Sequence, residues 1–231
     1  MDSFAFIGLG LNDEKGLTLE GLEEARRADR VFAEFYTNPM PALDMKRLEK
    51  LIGKKIHVLN RTQLEEEGGR ELIRSAKEDS VAFLVPGEII SAVCGATGLQ
   101  SYKFSKTVTI PYDPPLPASV LETISDNHGR GLHTLLLLDV KEDQNKQLTI
   151  AEALTKITSA NPSLESRLAV GVARIGARDE RVKASRIGLL INEDFGGPPQ
   201  SIVVVGKLHF METEALRIIC DAQDSDLREN S

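Results

Sequence analysis

The sequence predicts an α/β protein of two α/β/α lobes with largely parallel or mixed sheets, and three observations carry that prediction. Short apolar, strand-like runs alternate with amphipathic helical patterns throughout the 231 residues, as in a sheet joined by helical crossovers. Residues 4–37 form a strand–turn–helix–strand unit with a glycine turn. The segment Tyr112-Asp-Pro-Pro-Leu-Pro117 breaks all periodicity and reads as a linker or domain-edge loop. The boundary therefore falls near 105–117, giving an N-terminal α/β domain of residues 1–110 and a C-terminal one of residues 111–231.

Phe4 to Ile7 is apolar and strand-like, and Gly8 and Gly10 permit a tight bend after it. A helix starting near Thr18 carries Leu19, Leu22 and Ala25 on one face, and Val31–Ala33 returns as a strand. In a parallel sheet such a turn stands at the carboxyl edge, where open α/β folds bind ligands. Glycine there lets backbone N–H groups approach a ligand that a β-carbon would exclude. Gly8-x-Gly10 is not the dinucleotide fingerprint, because position 13 is Asp13 and the helix starts late. The turn suits a small cofactor without a diphosphate. Glu34, after the second strand, then reads as a substrate-cleft or structural carboxylate.

Leu48, Leu51 and Ile52 line a helix that stops at Gly53. Ile56–Leu59 is a short strand, Leu72, Ile73 and Ala76 mark a helix, and Val81–Val85 is a buried strand. Beyond the linker, Val120, Leu121 and Ile124 belong to a helix, and His133–Asp139 is strongly strand-like. Thr149-Ile-Ala-Glu152 is a capping box that starts the helix of Ile150, Ala153, Leu154 and Ile157. Leu168–Val172 and Ile202–Val205 are buried strands, and a last helix carries Ala215, Leu216, Ile218 and Ile219. The polar tail Asp221–Ser231 is expected to fray.

A formal net charge of −7, from 28 basic and 35 acidic residues, argues against a broad phosphate-binding face and so against nucleic acid. No run approaches the ~20 apolar residues of a membrane span, and MDSFAF does not read as a signal peptide. Cys94 and Cys220 show no metal or redox spacing and read as plain buried thiols in a reducing compartment. His57, His128, His133 and His209 show no i, i+4 pair, so no metal is expected. Arg174 and Arg178 flank Gly176 in a loop, either solvated or steering a substrate carboxylate.

The N-terminal unit recurs with GATGLQSYKF (95–104), GLHTLLLLDV (131–140), VARIG (172–176), EDFGGPP (193–199) and GKLHFMETEAL (206–216). In that order, and over most of the chain, the set resembles the diphthine synthase family, in the tetrapyrrole-methylase-like class of S-adenosyl-L-methionine methyltransferases. The resemblance implies two α/β/α domains with the cofactor in the cleft between them, and a cytoplasmic, metal-free homodimer. Its implied substrate is translation elongation factor 2, methylated on the amino group of a 3-amino-3-carboxypropyl-histidine. The cofactor contacts it implies are Leu11, Leu138, Ile175 and Gln200, the last where the family usually has histidine. Methyl transfer from a sulfonium depends mainly on alignment, so no diagnostic acid–base pair is required and no catalytic residue is assigned. Two alternatives stand beside it: a methyltransferase of this fold acting on a tetrapyrrole or other small molecule, and a non-catalytic relative.

One family segment is missing. After VAFLVPG the family continues with Gly-Asp-Pro, a Thr-Thr-His stretch, a helix, a strand and a Ser-Ile pair. Here Gly87 is followed at once by Glu88, where the serine is expected, and Ile89, both carried over as cofactor contacts. Roughly thirty residues, about one β–α unit, are absent. Either the unit is deleted or the chain as written omits it. Loss of a central strand would expose apolar sheet edge, which favours omission.

Overall fold

The computed structural model describes residues 4–36, 40–87, 89–141 and 146–227. The chain divides into two compact units, Met1–Ile89 and Ile90–Ser231.

In the first unit, β1 (Phe4–Gly8), β2 (Arg30–Ala33), β3 (Ile56–Val58) and β4 (Val81–Val85) form a sheet in the order β1-β4-β2-β3. All of its pairings are parallel. The two-residue period of a strand sends alternate side chains to opposite faces. Ile7, Val31, Ala33, Ala82 and Leu84 share one face with α1 (Leu19–Arg27) and α2 (Met45–Ile52), which bury Ala25, Leu48 and Ile52. Phe32, Val81 and Phe83 occupy the other face against Leu72 of α3 (Arg70–Glu78). Thr18 caps α1 by accepting the Gly21 N–H, and Gly53 ends α2 at φ 81°. Ile73 departs from its expected place: it is exposed, and Leu72 with Ala76 makes the apolar face of α3.

The second unit holds all but the first residue of α4 (Ile89–Thr97), then β5 (Val108–Ile110), α5 (Ala118–Gly129) and β6 (Thr134–Leu138). A short ribbon of β7 (Val140–Lys141) and β8 (Lys146–Gln147) follows, then α6 (Ile150–Ala160) and β9 (Leu168–Ala173). The chain continues through β10 (Arg181–Arg186), α7 (Ile187–Leu190), β11 (Gln200–Val204), α8 (Phe210–Ile219) and α9 (Asp224–Leu227). Its five-stranded sheet runs β10-β9-β11-β6-β5. Only β5–β6 is parallel, and the other pairings are antiparallel. A run such as Leu135–Leu138, largely buried, carries no signal of strand direction, and this sheet is the mixed one of the two kinds expected. Thr149 and Glu152 form the full capping box at the start of α6.

Three expectations are corrected. The boundary lies at Ile89/Ile90, not after residue 110, because β5 hydrogen-bonds to β6 in the second sheet. Among the described residues no central strand is lost: β4 keeps β1 on one side and β2 on the other, and β1 and β3 are the sheet's two edges. The tail does not fray through residue 227, since Asp226 accepts from Ser185 at 2.8 Å and from Arg186 at 2.9 Å and is buried with Leu227. Ile218 and Ile219 are exposed on α8, leaving Leu216 as its buried anchor.

Candidate functional site

The glycine turn is built by three backbone segments. Leu9 donates to the Val85 carbonyl at 2.8 Å, and Gly87 donates to the Gly10 carbonyl at 2.6 Å. Gly10 has φ +79°, and a β-carbon there would lie 3.0 Å from Gly16 Cα. A β-carbon on Gly87 would meet the Gly10 backbone at the same distance. Gly8 has open space around the equivalent point. Gly10 is therefore required by the chain's own packing, whereas the sequence suggested ligand approach for both glycines. Leu11 follows, half-buried, beside the carboxyl ends of β1 and β4.

Glu14 opens the 3-10 turn Glu14–Gly16 and is buried. Its Oε1 lies 3.7 Å from Arg47 Nη1, and its Oε2 is buried without a hydrogen-bond partner. A buried acceptor left unpaired is costly, so it is poised to receive an N–H or O–H donor. Sequence reading missed it, because Asn12-Asp13-Glu14-Lys15 looks like any solvated polar turn. Glu34 is also buried, its N–H on the Leu84 carbonyl at 3.3 Å.

In the second unit the register pairs Ala173 with Gln200, Leu137 with Ser201 and Ile110 with Leu138. Leu138, Ile175 and Gln200 thus stand along one edge of that sheet. Leu138 is buried in the core. Ile175 is half-buried in a turn between Arg174 (φ 49°) and Gly176 (φ 83°). Gln200 is committed: Oε1 accepts the Ile150 N–H at 2.8 Å and Nε2 donates to the Gly196 carbonyl at 2.6 Å. It ties the start of α6 to the EDFGGPP loop. Ile89 is the half-buried first residue of α4, and Glu88 lies outside the described residues.

Arg174 is neither solvated nor free to steer a substrate. It donates to Asp179 Oδ2 at 2.7 Å, to the Phe195 carbonyl at 2.7 Å and to the Gly197 carbonyl, bracing the same loop. Arg178 is exposed. Phe195 packs on Gly171 in the middle of β9, where a β-carbon would lie 2.3 Å from the ring.

The histidines of the motifs are structural. His133 is fully buried between Glu212 and the Gly206 amide, and His209 caps α8 by accepting the Met211 N–H. His128 pairs with Arg167, and burial followed by that charge lowers its pKa. Cys220 is buried, which pushes its thiol up to about 12. Among the described residues, no group of three His, Cys, Asp or Glu side chains is placed to hold a metal, and no helix is long and apolar enough to cross a membrane.

No protein-family model matches the chain. It is 37% identical to the diphthine synthase of Methanosarcina acetivorans over 251 residues, covering 91% of this chain and 93% of that one. With the diphthine synthase of Methanocaldococcus jannaschii the identity is 37%, covering 93% of this chain and 97% of the relative. A crystal structure of diphthine synthase superposes with a TM-score of 0.89 at 33% identity, covering 99% of both chains. The alignment with the diphthine synthase of Methanosarcina mazei, 36% identical, spans 264 positions and covers 97% of this chain and 98% of the relative, so about 40 of its positions have no residue here. With similarity running through nearly all of its length and a shared fold, the chain belongs to the diphthine synthase family.

Proposed function

We propose that the chain is an S-adenosyl-L-methionine-dependent diphthine synthase. In this reading it methylates the amino group of the 3-amino-3-carboxypropyl-histidine of translation elongation factor 2, in diphthamide biosynthesis. The observation that carries the reading is the similarity to diphthine synthases over 91–97% of the chain.

S-adenosyl-L-methionine, when bound, supplies an electrophilic methyl group on a sulfonium leaving group. The protein's task is to hold that group and the substrate amine in line. The residues present suit the cofactor: Glu14 Oε2 is a buried, unpaired acceptor for its ammonium or ribose hydroxyl donors. The proposed contacts are Leu11, Glu88, Ile89, Leu138, Ile175 and Gln200. Leu138 and Gln200 serve through their backbone, since one side chain is in the core and the other is already bonded. Within the second unit the sheet register fixes the strand ends that carry Leu138 and Gln200. The enzyme works in the cytoplasm as a homodimer. At a formal net charge of −7, recognition of the protein substrate rests on a shaped surface rather than on general charge attraction.

The test is transfer of label from methyl-labelled cofactor to elongation factor 2. Factor carrying the 3-amino-3-carboxypropyl group should be labelled, and factor with unmodified histidine should not. Cofactor binding without any transfer would favour a non-catalytic relative, the alternative that the roughly 40 unmatched alignment positions support.

A further inference from the structure

The connections of the first sheet part company between β2 and β3, which are parallel neighbours. From the carboxyl end of β2 the chain goes to α2 on the Ile7 face. From the carboxyl end of β3 it goes to α3 on the Phe83 face. Where adjacent parallel strands send their connections to opposite faces, a crevice opens beyond their carboxyl ends, and open α/β sheets bind ligands there. The cofactor contact Leu11 lies beyond β1 and β4, the other half of this sheet. Neighbouring strands are ~4.8 Å apart, so the two places stand on the order of 10 Å from each other.

The rim of the crevice carries charge in a fixed arrangement. Glu34 follows β2 directly and is only 5% exposed. After β3, Leu59 donates its N–H to the Ala33 carbonyl at 2.8 Å, so the two strands stay paired to their ends. Two residues further along each strand come Tyr36 and Arg61, and the guanidinium lies over the phenol ring, 5.9 Å from its centroid. Arg61 Nε donates to Glu65 Oε2 at 3.0 Å, and the Tyr36 hydroxyl bonds to the same side chain. Glu65 belongs to the π-helical turn Thr62–Glu66, which Asn60 and Gln63 brace by reciprocal side-chain-to-backbone bonds of 2.9 Å. Burial, then the charges of Glu65 and Glu34, raise the Tyr36 pKa, so the phenol keeps its proton and Glu34 is near enough to act on it.

A surface Arg–Glu pair alone contributes little. Here the pair is joined to a stacked ring and to a buried strand-end carboxylate, at the point where the connections part. The stacked guanidinium is a preorganised fork for a carboxylate although its side chain is 68% exposed. Glu34 supplies an acceptor for N–H donors of opposite charge. A ligand matching both carries a carboxylate and an amino group on one carbon, as an α-amino acid does. The methionyl end of the cofactor and the 3-amino-3-carboxypropyl arm of the substrate both have that chemistry, and Leu11 places the cofactor on the other half of the sheet.

On the diphthine synthase reading above, we infer that Arg61 and Glu34 bind the amino acid end of the substrate's 3-amino-3-carboxypropyl arm. Arg61 takes its carboxylate, Glu34 accepts from its amino group, and Tyr36 holds the guanidinium in place.

The experiment titrates the 231-residue chain into three fluorescent peptides of elongation factor 2, read by anisotropy, without cofactor so that no methyl transfer intervenes. One peptide carries the 3-amino-3-carboxypropyl-histidine, the second its primary carboxamide, and the third unmodified histidine. The native chain should bind the first at least about 10-fold more tightly than the other two. Arg61→Ala should bind the acid and the carboxamide equally, and Arg61→Lys should keep only part of the preference. Glu34→Gln should lose at least about 10-fold on the acid peptide. Should that buried substitution prevent folding, the exposed Arg61 decides. In calorimetry, Arg61→Ala should bind S-adenosyl-L-methionine within about 2-fold of the native affinity. No preference for the acid in the native chain, or an undiminished one in Arg61→Ala, overturns the proposal. So does a parallel loss of cofactor affinity in Arg61→Ala, because the methionyl end then fills the crevice. The activity fails separately: Arg61-dependent binding of the acid peptide with no label transferred to elongation factor 2 sinks the methylation and leaves the crevice assigned.

Discussion

His133 and Glu212, 79 residues apart in sequence, meet Nε2 to Oε1 at 3.0 Å with both side chains fully buried. The Gly206 N–H donates to His133 Nδ1 at 3.0 Å, so the ring proton sits on Nε2 and is donated to Glu212. Glu212 also accepts from Gln100 N at 2.9 Å, Lys103 Nζ at 2.8 Å and His209 N at 2.8 Å. One carboxylate thus joins β6, the 100–103 stretch and the first turn of α8. A buried charge is tolerable here because both of its oxygens are fully bonded.

Stability should therefore depend on acid in part through this group. Burial alone raises the Glu212 pKa, but the hydrogen bonds from His133, Lys103, Gln100 and His209 outweigh it and hold the carboxyl at about 2, against 4.5. A depressed carboxyl stabilises the fold above its unfolded pKa and loses that contribution as pH falls from about 4.5 towards 2. The contribution is on the order of 3 kcal/mol. In urea titrations between pH 7 and pH 3, Glu212→Gln should be less stable at pH 7 by about that amount. It should also show a shallower decline in acid than the native protein, and a variant that keeps the full decline would assign it to the other depressed carboxyls, Asp29, Glu49, Glu152 and Asp226.

The glycine turn yields a contrast between neighbours. Gly10→Ala should cost about 2 kcal/mol, from its left-handed backbone and the Gly16 contact. Gly8→Ala, with open space, should stay within about 0.5 kcal/mol of the native protein. Equal losses in chemical denaturation would remove the packing account of Gly10.

Phe195 and Gly171 form a knob and its socket. Gly171→Ala should cost about 3 kcal/mol, because the ring cannot move without lifting the EDFGGPP loop. Adding Phe195→Leu should recover at least about 1 kcal/mol of that loss in a double-mutant cycle. Strict additivity would show that the ring is not what excludes the β-carbon.

Elements with an intrinsic local signature were legible in the sequence alone. Thr18 before α1, Gly53 after α2 and the Thr149–Glu152 box all work through groups within a few residues of one another. The apolar runs likewise announced β4, β6, β9 and β11, since burial on both faces leaves little room for polar side chains. The ordered motifs gave the family. Strand direction and partners were decided only in three dimensions, because a buried leucine run is the same whether its neighbour runs with it or against it. The same holds for individual polar residues: Gln200 and Arg174 look available for chemistry in the sequence, and distant backbone groups claim them in the fold. Glu14 reverses the case, a routine polar residue in the sequence that packing buried and left with an unpaired oxygen. Local hydrogen bonding and hydrophobic periodicity are written along the chain, whereas burial and long-range partnership exist only once the chain has closed on itself.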